Sequence, residues 1–167
     1  MITLGIDPGT ATTGFGIIRE EQDGGLTVLA FGVIQTSTAF SQADRLVQLY
    51  NQIKELIILH QPDMGAVEKL FFERNVRTAL SVGQARGVTL LAMAESKLQI
   101  GEYTPLEVKQ AVAGYGGADK NQVQQMVKTI LGLEVIPHPD DAADALAVAI
   151  CHIHSAKIRN LYSENYE

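Results

Sequence analysis

The chain has 167 residues, 46% of them hydrophobic, with 13 Lys and Arg against 19 Asp and Glu, 15 Gly and one Cys. Such a length suits one domain with a sizeable core, a single Cys excludes a disulfide scaffold, and the apolar content excludes a disordered chain. The formal net charge of −6 counts against wrapping duplex DNA by bulk attraction, unless the acidic excess is gathered where cations bind.

The opening residues alternate, Ile2, Leu4 and Ile6 against Thr3, Gly5 and Asp7, which predicts a first strand ended by Pro8 and Gly9. Runs of β-formers at 14–18 and 26–34, separated by Asp23, Gly24 and Gly25, predict two further strands in an antiparallel meander. Leu46, Leu49, Ile53, Leu56 and Ile57 recur at helical spacing over 41–60, with Ser41 as N-cap and Pro62 as stop. A short apolar strand at 65–68 ends on Glu68, a helix is predicted over 76–97, and a strand at 100–103 is closed by Pro105. Helices at 106–113 and 120–131 flank a loop carrying Gly114, Gly116 and Gly117, and a last helix covers about 140–154. This order predicts an α/β fold, a mixed sheet with helices on both faces. A single domain over 1–167 is expected, with 157–167 as a frayed tail. No stretch has the roughly 18 apolar residues of a membrane span. MITLGIDPGT also lacks a signal-peptide pattern, so a cytoplasmic protein without membrane contact is expected. Cys151, inside an apolar run, reads as a small buried hydrophobe.

The chemistry-bearing residues are acids. Asp7 closes the first strand at the carboxyl edge where open α/β sheets place ligands, although an Asp before Pro-Gly is also an ordinary turn residue. Glu68 ends an apolar strand; if that strand runs parallel to the first, both acids emerge on one edge, and otherwise Glu68 is a solvated exit residue. Asp140, Asp141 and Asp144 open the last helix. At about 100° per residue, Asp144 lies about 60° from Asp141 and about 40° from Asp140, so all three share a face. They also complement the helix dipole, for which one acid would suffice. Beyond them the helix is apolar all round, from Ala142 to Ile150, so Asp144 should sit against protein. Buried acids brought together repel and are costly unless cations join them. Mg2+, which takes carboxylate oxygens, is the fitting ion, and two would bring the formal charge from −6 to −2. Zinc is disfavoured: His138, His152 and His154 lie near the last helix, but there is no Cys pair and no HExxH spacing.

Four segments, GIDPGTATTGFG at 5–16, EKLFFERN at 68–75, GQARG at 83–87 and HPDDAADALAVAICHIH at 138–154, resemble in order and spacing the RuvC family of bacterial Holliday-junction resolvases. The resemblance implies an RNase H-like fold with a five-stranded mixed sheet. It also implies a homodimer and Mg2+-dependent, symmetrical nicking of four-way junction DNA, with Mn2+ able to substitute and with the RuvAB branch-migration helicase as partner. Carried onto this sequence, it assigns Asp7, Glu68, Asp141 and Asp144 as catalytic, metal-holding carboxylates, leaving Asp140 as a helix-start acid. Phe71 takes the position of a base-stacking aromatic, and Arg74, Arg77, Lys109 and Lys120 are candidate phosphate contacts, each equally explicable as a solvated charge. Ala79, Gly83 and Gly87 form a stripe of small residues that would let another helix approach, from this chain or from a symmetric subunit. Two alternatives remain at this stage: an ATP-phosphate cradle of the actin and Hsp70 type, and an RNase H-like pre-ribosomal-RNA nuclease sharing the DPG opening.

Overall fold

The computed structural model describes residues 1–69 and 76–164, the side chains of 76–77 and 157–164 excepted. Its elements run β1 (Ile2–Asp7), β2 (Thr12–Glu20), β3 (Leu26–Gln35), α1 (Gln42–His60), β4 (Met64–Glu68), α2 (Val76–Glu95), β5 (Gln99–Tyr103), α3 (Pro105–Ala113), α4 (Lys120–Ile130) and α5 (Asp140–Glu164). The sheet order is β3-β2-β1-β4-β5. The meander β1–β2–β3 is antiparallel, whereas β4 and β5 join parallel to β1. The strand and helix types match the sequence reading. The main difference is that α5 runs on to Glu164, past the expected end near 154.

Local chemistry explains the boundaries. Ser41 caps α1 by accepting from the Asp44 amide. Thr104 and Asp119 begin α3 and α4 with reciprocal capping boxes to Glu107 and Gln122. Between β2 and β3 the turn closes with the Gly24 amide donating to the Glu21 carbonyl, Gly24 having a φ of 85°.

The sheet is buried on both faces. On one face Leu4, Ile6 and Val67 pack with Leu49, Ile53 and Met93 of α1 and α2. On the other, Ile18, Ala66 and Tyr103 pack with Val108 and Val112 of α3, Val123 and Val127 of α4, and Leu146, Ala149 and Ile150 of α5. α5 lies almost on the strands: a Cβ at Gly5 would stand 2.3 Å from the Ala145 carbonyl oxygen. Only a glycine admits a helix backbone so near a strand. This contact settles where the first turn of α5 falls along β1 and β2.

Candidate active site

Two neighbouring strands supply the first two acids. The parallel register of β1 and β4 pairs Ile6 with Val67, so Asp7 and Glu68 stand one step further along adjacent strands, whose spacing is about 4.8 Å. Side chains at corresponding positions of a parallel pair share a face, here the face that α5 covers. On the other side of β1, Asp7 pairs with Gly14 of β2, and above Gly14 lies the backbone of Asp141. The start of α5 thereby overhangs the strand end that carries Asp7.

The electrostatics follow from this convergence. Asp7 is held up to about pH 7, by burial first and then by the charges of Glu68, Asp144 and Asp141, against an opposing pull from Lys120. Burial and Asp144 push Glu68 above the usual carboxylate range, with Lys109 and Lys120 opposing. Burial also raises Asp144, although Lys120 draws it down. Asp140 behaves differently: it is exposed, and its hydrogen bonds with Lys120 and Gln124 hold it low. The Lys120 ammonium lies 3.1 Å from Asp140 Oδ2 and 3.2 Å from Asp144 Oδ2. Beside these acids opens a cavity of about 210 Å3, lined by Glu68, Asp144, Lys109 and Lys120 over an apolar floor that includes Val108 and Val123.

Among the described residues no three His, Cys, Asp or Glu side chains are gathered closely enough to hold a metal ion as they stand. The donor set is nevertheless entirely carboxylate, partly buried and mutually repelling. A hard divalent cation relieves such a set better than a soft one. Two of the three histidines near the last helix are engaged elsewhere, whereas the charge of His138 bears on Asp140. His152 is buried with Nδ1 2.9 Å from the Tyr103 hydroxyl, and His154 Nδ1 lies 3.1 Å from the Ala111 carbonyl oxygen.

Of the remaining sequence candidates, Lys109 and Lys120 line the cavity. Phe71 and Arg74 lie outside the described residues, as does the side chain of Arg77. On α2, Gly83 and Gly87 face open space, for a Cβ at either would meet nothing within 4 Å. Leu80 and Leu91 beside them are 66% and 60% exposed. The stripe therefore faces outward, not onto another helix of the same chain. Sequence reasoning passed over Arg86, whose Nε donates to the Glu68 carbonyl oxygen at 3.3 Å; the GQARG segment was the available signal.

The family model for crossover junction endodeoxyribonuclease RuvC matches residues 3–152. A RuvC from Roseiflexus sp. (strain RS-1) is 57% identical over 154 residues, covering 92% of this chain and 91% of its own. Among solved structures, Thermus thermophilus RuvC superposes with a TM-score of 0.89 at 37% identity, over 95% of this chain and 96% of its own. The T. thermophilus RuvC in complex with Holliday junction substrate gives 0.86 at 34% identity, with the same coverage. No helix among the described residues is long and apolar enough to cross a membrane.

Proposed function

The chain belongs to the RuvC family of crossover junction endodeoxyribonucleases, and from that membership we propose that Asp7, Glu68, Asp141 and Asp144 form a divalent-metal site that hydrolyses phosphodiester bonds of four-way DNA junctions. The carrying observation is geometric: Asp7 and Glu68 end adjacent parallel strands on the face that α5 covers, and the backbone of Asp141 lies over Gly14, the partner of Asp7, an arrangement in which burial and the charges of Glu68, Asp144 and Asp141 raise the Asp7 carboxyl. Isolated acids at turns or helix starts would not act on one another in this way. The family match favours neither the nucleotide-cradle alternative nor the pre-ribosomal-RNA nuclease.

Divalent-metal dependence is implied by the family; Mg2+, two ions per site with Mn2+ able to replace them, would supply Lewis-acid activation of water and stabilisation of the leaving oxygen. The protein's own part is positional. Asp7 and Glu68 present carboxylates from rigid strand ends, and Asp141 and Asp144 present theirs from the first turns of a buried helix. None of them needs to become a covalent nucleophile. Lys109 and Lys120, at the cavity wall, would take the phosphates on either side of the scissile bond. Phe71 would stack on an unpaired base at the crossover, with Arg74 and Arg77 on the backbone.

Two copies related by a two-fold axis through the outward α2 stripe would place two such sites on strands of like polarity, which gives symmetrical nicks. Partnership with the RuvAB branch-migration helicase, and action in the cytoplasm, are carried by family membership alone. The test is cleavage of a synthetic mobile four-way junction against a structured RNA, with Mg2+ and with EDTA. Paired nicks in the junction with Mg2+ alone are expected. Metal-independent cutting, or preference for the RNA, would overturn the reading.

A further inference from the structure

The GQARG segment places one guanidinium where helix and sheet meet behind the acids. Arg86 projects from α2 with its side chain 21% exposed. Its Nε donates to the Glu68 carbonyl oxygen at 3.3 Å, and its Nη2 pairs with the Glu102 carboxylate on β5. The register sets Val67 against Glu102 and Glu68 against Tyr103, so the two acceptors belong to the ends of adjacent strands. The Lys69 amide donates to the Tyr103 carbonyl oxygen at 2.7 Å, extending the ladder one step past Glu68. A single planar fork thus ties α2, β4 and β5 together at the peptide that follows the Glu68 side chain.

We propose that Arg86 is a positioning residue for the nuclease reaction, a clamp that fixes the backbone of Glu68 so that its carboxylate meets Asp7 and Asp144. The inference rests on the metal-site reading above. The charges that bear on the Glu68 carboxyl are those of Asp144, Lys109 and Lys120, whereas Arg86 touches the peptide oxygen, so its contribution is to position. The task suits arginine. Five donors in a rigid plane can serve a carbonyl and a carboxylate at once, which the point charge of a lysine cannot. Groups that orient metal ligands typically change metal affinity by about 10–100-fold when removed. Arg86 also stands on the helix that carries the outward stripe of Gly83 and Gly87, so the clamp joins that face to the carboxylates.

The experiment is Mn2+ titration of the full-length protein by calorimetry without DNA, with junction affinity measured in EDTA and single-turnover cleavage measured across a Mn2+ series. Arg86→Met is expected to weaken Mn2+ binding by about tenfold or more, to leave junction affinity within about twofold, and to regain cleavage as Mn2+ is raised. Because metal bound to the folded state would also mask a merely structural defect, the urea midpoint in EDTA is measured alongside and should stay near wild type. Arg86→Lys should behave like Arg86→Met, and Glu102→Gln, at a partly exposed site, should shift Mn2+ affinity the same way by less. If Arg86→Met fails to fold, Glu102→Gln carries the test. Unchanged Mn2+ affinity in a folded Arg86→Met, or in Glu102→Gln when it stands alone, overturns the clamp. Lost junction affinity with intact Mn2+ affinity overturns it also, making Arg86 a DNA contact. Wild-type Mn2+ binding that is absent, or that survives both Asp7→Asn and Glu68→Gln, refutes the metal site itself and the clamp with it.

Discussion

Gly14 of β2 and Asp141 of α5 are in backbone contact, so close that a Cβ on Gly14 would stand 1.8 Å from the Asp141 carbonyl oxygen. Gly14 is also the cross-strand partner of Asp7. One glycine therefore sets how far the start of α5 stands from the end of β1, and with it the separation of two of the four acids.

Gly14→Ala should push the first turn of α5 off the sheet. Forcing one extra carbon into a closed contact typically costs about 1–3 kcal/mol, sometimes more, and here the displaced atoms belong to the proposed site. We expect a lowered thermal midpoint together with a loss of junction cleavage that the stability change alone does not explain. Wild-type melting and cutting would show that the helix is not held where Gly14 admits it.

Asp7→Asn and Glu68→Gln keep the side-chain size and remove one charge each. Both are expected to abolish nicking while junction binding, measured by gel shift in EDTA, stays close to wild type. Cleavage near the wild-type rate in either variant would remove the residue from the metal site.

The raised carboxyls give a signed pH dependence. Asp7 titrates near 7 in the fold against an ordinary value of 3.8. Between those values the folded state holds a proton that the unfolded chain has released, so stability falls as pH rises through the window. Glu68 and Asp144 act in the same direction. In EDTA the wild type should lose stability relative to Asp7→Asn between about pH 4 and pH 7, by on the order of a few kcal/mol, the lowered carboxyls of Asp140, Glu107, Glu95 and Glu21 acting the other way in both proteins. Metal affinity should climb over the same range, because ligation requires the proton to leave. Parallel profiles of wild type and Asp7→Asn in EDTA would contradict the raised Asp7.

Gly83→Leu places a large side chain on the open face of α2. If that face seats a second copy, the variant should elute and scatter light as a monomer at concentrations where the wild type is a dimer. An undisturbed dimer would move the interface elsewhere.

Periodicity made the strands and helices of this chain readable, because alternation in 2–7 and the 3.6-residue recurrence in 41–60 are imposed by burial against a core, whatever the core's details. Glu68 at a strand end and the acids before an all-apolar helix were readable for the same reason. Their grouping was not. Helical arithmetic puts Asp140, Asp141 and Asp144 within one face, and nothing local separates them. The fold distinguishes them: the backbone of Asp141 lies over Gly14, the cross-strand partner of Asp7, the charges of Asp141 and Asp144 bear on Asp7, and Lys120 lies between the exposed Asp140 and the less exposed Asp144. The GQARG segment marked Arg86 but not its role, since its partners lie 18 and 16 positions away, at Glu68 and Glu102. Local pattern records which face of an element must be dry; which charged groups then meet is decided by contacts between distant elements, and those exist only once the sheet and its helices have packed.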